Sequence, residues 1–288
     1  MSCSHFQRSL FYNKKDRSEF LMLDFSMIHH DLSHYEDNDL YEFLGNQHTP
    51  HVINQNFFQL HFTPTCEEWF LLEEQFMDYA EELHLKNIAI HLPMSTGIDQ
   101  DLLDYLEEAH YVLAISSLMI LRPKDYQQPS TFYTPFQLSR VSNTQDQQDF
   151  LDFQVLFDRT QGSAYTQEMQ AIYKERFQKK TIISYFCRDS RSKQILATVQ
   201  IIQSKDYLEI DHLTVAPAYR RKGLAKTILH QLFQQANIQN KQLILVTDTD
   251  SIAEKLYLSL GFHSVGFHLE FSRALTPDFT QQFLLEEE

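Results

Sequence analysis

Residues 208–225 read LEIDHLTVAPAYRRKGLA, and the reading of this stretch decides the fold. Ile210, Leu213 and Val215 predict a strand that ends at Pro217. Arg220, Arg221 and Lys222 form a basic cluster, followed by the single glycine Gly223. Leu224, Ala225, Ile228, Leu229, Leu232 and Phe233 then recur at helical spacing. A strand, a basic turn, a glycine and a helix start together make an anion site. The first turn of a helix offers unpaired N–H groups and the positive end of the dipole. Gly223 tolerates a positive φ and lets a phosphate approach without a Cβ in the way. Neither GxxxxGK[ST] nor GxGxxG is present, so a solvated basic turn explains the pattern equally well at this level.

Working outward, 288 residues suffice for two domains. An apolar content of 43% with 22% charged residues is that of a soluble globular chain. The 23 Phe and 14 Tyr predict an aromatic-rich core or cleft. A net charge of −15 argues against nucleic acid or an anionic membrane as a partner and is compatible with a cationic amine. Cys3, Cys66 and Cys187 are scattered and form no C-x-x-C, which argues against a disulfide framework or a zinc site and for a reducing compartment. No signal peptide is visible, and no segment approaches the ~20 apolar residues of a membrane helix. The expected location is the cytoplasm.

Residues 1–20 are a polar start, and 19–29 read as a strand or a short helix. Residues 31–39 read as an acidic turn, and Leu40 to Leu44 as a short helix ending at Gly45. A strand is expected over 57–62, then an amphipathic helix over 67–85 on Phe70, Leu71, Phe76, Met77, Ala80 and Leu83. A strand over 87–92 precedes a helix over 100–109 capped by Asp99, and a strand or strand pair follows over 111–121. KDYQQPSTFYT, 124–134, is the best linker. Beyond it come a strand at 136–141, helices at 144–159 and 167–179, and strands at 181–188 and 194–203. After the central stretch, a helix over 224–236, a strand over 243–246, a helix over 251–259 and a strand region over 263–271 complete the order. The tail, 276–288, is polar.

Two blocks carry a family resemblance. VAPAYRRKGLA, 215–225, resembles the acetyl-CoA signature of GNAT-type N-acetyltransferases, Arg/Gln-x-x-Gly-x-Gly/Ala after a strand ending Val-x-Pro. DSIAEKLYLSLGF, 250–262, is similar to the family's Asn-x-x-Ala-x-x-Leu-Tyr-x-x-x-Gly-Phe, with Asp250 at the Asn position. The resemblance covers about residues 136–272. It implies an α/β (α+β) fold, with a mixed, mostly antiparallel sheet flanked by helices. LDYLEEAHY, 103–111, can be laid beside LYLSLGF, 256–262, as a weak internal repeat. Two GNAT-like domains in tandem are therefore expected: a degenerate one at 1–125, a linker at 126–135, the acetyltransferase domain at 136–275 and a tail at 276–288. In the first, TPTCEEW, 63–69, stands where the phosphate turn would be; it is acidic and would repel a phosphate.

The resemblance implies acetyl transfer from acetyl-CoA to a primary amine by direct attack in a ternary complex, with no metal. Arg220, Arg221, Lys222, Gly223, Leu224 and Ala225 would grip the pyrophosphate. Leu213, Thr214 and Val215 would pair with the pantetheine arm, one backbone N–H there pointing at the thioester oxygen. Glu209, six residues before Val215, matches the strand position of the catalytic Glu in several subfamilies. As an unperturbed carboxylate it would be a weak base, so burial or a relaying water is required. Strand alternation puts Glu209 and Asp211 on one face and His212 with Ile210 on the other; Asp211 and His212 are the alternate bases. Tyr257 holds the position of the tyrosine that protonates the leaving thiolate. Asp250 could cap its helix, although its charge puts close cofactor contact in doubt. The acceptor is a small-molecule or protein amine. The rival reading is a non-catalytic acyl-CoA-binding or regulatory protein. Three roles stay open for the N-terminal half: shaping the acceptor cleft, forming a homodimer, or covering apolar surface.

Overall fold

The computed structural model describes residues 23–275. The expectations for residues 1–22 and for the 276–288 tail lie outside the described residues. Where an acidic turn and a short helix were expected, the chain forms a hairpin, β1 (His34–Asp37) and β2 (Tyr41–Gly45). The Asn38 carboxamide accepts from the N–H groups of Leu40 and Tyr41 and makes the turn. Tyr41, Phe43 and Gly45 are buried in alternation with Glu42 and Leu44, a period of two that helix propensity does not override. β3 (Phe57–Leu60) leads to α1 (Cys66–Glu82), which opens with a capping box between Thr65 and Glu68. The buried face of α1 is Trp69, Leu72, Phe76 and Ala80; Phe70 and Leu71, expected inside, are exposed.

β4 (Asn87–His91), α2 (Gln100–Glu108) and β5 (Val112–Leu121) complete the first half. Asp99 stands at the N-cap of α2 but its side chain makes no cap bond. The second half is β6 (Phe136–Arg140), α3 (Thr144–Asp158), α4 (Ser163–Arg176), β7 (Ile182–Asp189), β8 (Ile195–Gln203), β9 (Tyr207–Val215), α5 (Leu224–Ile238), β10 (Gln242–Asp248), α6 (Ile252–Leu258) and β11 (His263–Ala274).

All eleven strands form one sheet, in the order β1-β2-β3-β4-β11-β5-β10-β9-β8-β7-β6. Pairing is antiparallel except between β3 and β4 and between β9 and β10. The order contains an exchange. β5, from the first half, lies between β10 and β11 of the second, and β11 lies between β4 and β5 of the first.

The halves repeat each other in their helix ends. α1, α2, α5 and α6 each stop at a left-handed residue: His84, His110, Asn240 and Gly261. The following N–H then reaches back five residues: Leu85 to Ala80, Tyr111 to Leu106, Lys241 to Ala236 and Phe262 to Tyr257. This is the Schellman ending, used four times at equivalent places. Strand–helix–strand–helix–strand thus occurs twice, from β3 to β5 and from β9 to β11.

Cross-strand neighbours share a face, which places the layers. α5 and α6 pack over Leu208, Ile210, Leu243 and Leu245, while Ile88, Ile90, Leu269 and Phe271 of that same face form the core of the first half with Trp69 and Leu72 of α1 and Leu102 and Leu106 of α2. α3 and α4 cover the other face at its β7 side through Phe150, Leu151, Ile172, Tyr173 and Phe186. The centre of that second face is crossed by residues 24–31. There the Phe25 ring stacks on His268 of β11, and Tyr207 of β9 donates to the Met27 carbonyl at 3.0 Å.

Candidate active site

β9 and β10 run parallel and pair only where Tyr207, Leu208 and Glu209 face Gln242, Leu243 and Ile244. Beyond that point the strands part. β10 continues bonded to β5 as far as Asp248, and β9 continues bonded to β8 as far as Val215. The facing edges, Ile210–Val215 on β9 and Leu245–Asp248 on β10, are left as the sides of a wedge. Leu213, Thr214 and Val215 line one side. Glu209 stands at the apex.

The basic turn lies where β9 runs out. A helical turn, Pro217–Tyr219, is followed by Arg221 at φ 59° and Gly223 at φ 82°. Arg220 turns back to donate from Nε to the Val215 carbonyl at 3.0 Å, and Lys222 lies over the Tyr219 ring. α5 begins at Leu224 with Gly223 as its cap residue and no side-chain cap bond. Among the described residues, the N–H groups of Arg221, Lys222, Gly223, Leu224, Ala225 and Lys226 have no protein acceptor. Six consecutive donors with a helix N-terminus and three exposed cationic side chains form a cradle for a polyanion. A Cβ built on Gly223 would meet nothing within 4 Å, so the glycine serves the left-handed backbone and keeps the approach open.

Glu209 is 4% exposed, and one of its oxygens, Oε2, accepts the backbone N–H of His29 at 3.0 Å. Burial, reinforced by the nearby Asp211 charge, pushes its carboxyl up to about 8. Asp211 behaves oppositely. Burial would raise it, but His212 and the Arg176 guanidinium outweigh burial and hold it below the usual carboxylate range. Two carboxylates one alternation apart are thereby separated in acidity.

His212 corrects the sequence expectation. The β8–β9 register passes from Gln200↔Asp211 to Thr198↔Thr214, so Val199 faces both His212 and Leu213. This bulge carries His212 at φ 48° and turns its ring to the Asp211 side, 3.5 Å from Asp211 Oδ2 and against Tyr173 of α4. His212 therefore leaves the Ile210 face. Burial lowers its pKa, against the pull of Asp211.

Tyr257 of α6 is 9% exposed, with its ring against Phe262 in the core beneath the wedge. Its hydroxyl has no hydrogen-bond partner among the described residues. Burial, with the Asp211 charge second, pushes it up to about 12, so it is a protonated donor at neutral pH. Asp250 does not cap α6. Ser251 does, accepting from the Glu254 N–H, while the Glu254 carboxylate accepts the Asp250 N–H at 2.7 Å. Asp250 sits outside the helix at φ 58°, exposed.

The sequence reading missed what the first half contributes. Asp31 is buried and bonds Arg176 Nε and Lys179 Nζ, each at 2.6 Å. Arg176 also donates to Asp211 at 2.6 Å and to Gln200 at 2.8 Å. A signal existed: Met169, Ile172, Tyr173 and Arg176 make one buried stripe on α4, and a cation on an apolar stripe demands a buried partner. Nothing in the pattern pointed to His29 or Asp31 as that side of the site.

The sequence profile described as "Acetyltransferase (GNAT) domain" matches residues 154–274. Residues 154–274 are a GNAT acetyltransferase domain. Residues 23–119 match a profile described as "Domain of unknown function (DUF5613)". No curated protein matches the chain. Among solved structures, a functionally unknown conserved protein from Staphylococcus epidermidis is similar over 88% of this chain and 99% of its own, at 18% identity and a TM-score of 0.77. A GCN5-related N-acetyltransferase from Sphaerobacter thermophilus is similar over 82% of this chain and 76% of its own, at 13% identity and a TM-score of 0.55. Another from Kribbella flavida is similar over 86% and 91%, at 13% identity and the same TM-score of 0.55. At these identities the likeness is one of fold. Among the described residues, no helix is long and apolar enough to cross a membrane.

Proposed function

We propose that the chain transfers the acetyl group of acetyl-CoA to a primary amine by direct attack in a ternary complex. The observation that carries this reading is the run of unpartnered N–H groups from Arg221 to Lys226, set at the mouth of a wedge whose apex is a buried carboxylate. Acetyl-CoA, when bound, supplies an acyl thioester. The donors of 221–226, with Arg220, Arg221 and Lys222, hold its pyrophosphate, and the edge of Leu213, Thr214 and Val215 aligns its arm. Glu209 takes a proton from the acceptor. At neutral pH it is largely protonated when alone, and an approaching ammonium draws it toward the ionised form. Tyr257 holds the proton that the departing sulfur needs. Residues 24–31, delivered by the first half (1–125), form the acceptor side by donating the His29 N–H to Glu209 and anchoring Arg176 through Asp31.

The test has two stages. Acetyl-CoA at 100 times its Kd should stabilise the folded protein by about 2.7 kcal/mol in a thermal-shift titration, and Gly223→Glu should remove that shift while the variant, destabilised by roughly 1–2 kcal/mol for a side chain at positive φ, still melts cooperatively without ligand. A thiol-release assay over a panel of amines then reads transfer. Binding without thiol release from any amine would favour a non-catalytic acyl-CoA-binding protein. No binding by the folded protein would sink both readings.

A further inference from the structure

On the face of the sheet that carries Glu209, three strands across and displaced along them, lies a second cluster. His91 of β4 is directly paired with Glu270 of β11, and His268 stands two residues before Glu270 on the same face. One ligand atom from each lies within 4.8 Å of the other two. We propose that His91, His268 and Glu270 hold a divalent transition-metal ion.

Three observations point the same way. First, the imidazoles are presented and not otherwise used. His268 is 4% exposed, and neither ring hydrogen-bonds any described residue. Each ring lies flat on a phenylalanine: His268 on Phe25 at 3.6 Å and His91 on Phe57 at 4.2 Å. Stacking fixes ring planes while leaving the nitrogens in the sheet face free to coordinate.

Second, the site lacks positive charge. Glu270 feels the Asp248 carboxylate, and neither makes an ion pair among the described residues. A half-buried carboxylate with no cationic partner among the described residues is the kind of group that coordinates a metal ion.

Third, the set is chemically specific. Two histidines and one carboxylate are a transition-metal donor set that leaves coordination positions open for water or a ligand. An alkali or alkaline-earth ion would call for oxygen donors. The sequence hides the set, because His91 is separated from its partners by most of the chain and meets them only through the strand exchange.

Tag-free, full-length protein, stripped with a chelator and titrated with Zn²⁺ by calorimetry, should bind one equivalent saturably. Glu270→Gln keeps the side-chain shape and should weaken that event at least tenfold. His91→Gln should do the same. His61→Gln alters the exposed Asp37, Glu42 and His61 cluster and should leave it intact. Chelator-treated wild type and Glu270→Gln should melt within a degree or two of each other, which separates ligand loss from misfolding; if Glu270→Gln fails that check, His91→Gln decides. Absence of a saturable one-equivalent event, an event unchanged in both site variants, or one lost only with His61 would overturn the assignment.

Discussion

Glu209 turns burial into a pH signature. Its carboxyl titrates near 8 in the folded chain and in the ordinary carboxylate range when unfolded. The folded state therefore binds the extra proton between those values. Stability falls as pH rises through that window, by at most about 1.4 kcal/mol per pH unit, and levels off above 8. Glu209→Gln should flatten the part of the pH–stability curve below 8 and be more stable than wild type at pH 9. Equal slopes in urea melts at pH 6, 7 and 8 would show that Glu209 does not titrate there. In activity the sign is reversed: kcat/KM should climb with pH toward 8, and the variant should lose most of its turnover. Tyr257 makes a separable prediction. Its hydroxyl bonds no described residue, so Tyr257→Phe should leave stability within about 0.5 kcal/mol and acetyl-CoA affinity unchanged while lowering kcat. An unchanged kcat would take Tyr257 out of the mechanism.

At the scale of the element, local signals were read well where one residue type had one physical use. The strand ending at Pro217, the glycine opening α5 and the helix spacing behind it were legible because each follows from backbone sterics. The β9 bulge was not legible. Alternation assumes an uninterrupted pleat, and the extra residue at His212–Leu213 answers to β8, a partner the β9 sequence does not encode. The β1–β2 hairpin was misread for a related reason: the five residues from Leu40 to Leu44 carry too few periods to separate strand from helix. Gly261 shows one motif position meeting a fold requirement. It ends α6 at φ 93°, and a Cβ there would stand 1.9 Å from the Asp125 carbonyl oxygen. The Gln127 N–H bonds the Leu260 carbonyl at 2.9 Å beside it, and Tyr126 stacks on Phe233 of α5 at 3.8 Å. The glycine is thus the seat on which the segment between the halves docks. Gly261→Ala should cost at least ~2 kcal/mol, from the strained φ together with the displaced strap. A loss under about 0.5 kcal/mol in chemical denaturation would mean that the segment yields freely.

Across the whole molecule, the tandem organisation was visible only as a faint repeat, because what joins the halves is hydrogen bonding between strands far apart in sequence. β5 completes the second half and β11 completes the first, so neither half closes its own sheet. The buried Asp31–Arg176 pair adds a second tie. Removing Asp31 takes one of two carboxylate partners from a guanidinium that is 2% exposed, leaving Asp211, and Asp31→Ala should destabilise by roughly 1–3 kcal/mol. The exchange makes a stronger prediction about truncation. A chain beginning at residue 126 keeps every element of the GNAT profile, yet it loses the strand that pairs β10 along Leu243–Asp248 and β11 along His263–Ser272. Two long apolar edges would then face water, which is an invitation to edge-to-edge association. Residues 126–288 expressed alone should therefore aggregate or fail to bind acetyl-CoA, and residues 1–125 supplied in trans should restore a monomeric, binding-competent complex. If the short chain is instead a soluble monomer with a cooperative melt and the acetyl-CoA affinity of the full chain, the exchange contributes nothing to the site. The first half would then act on the acceptor alone, through residues 24–31.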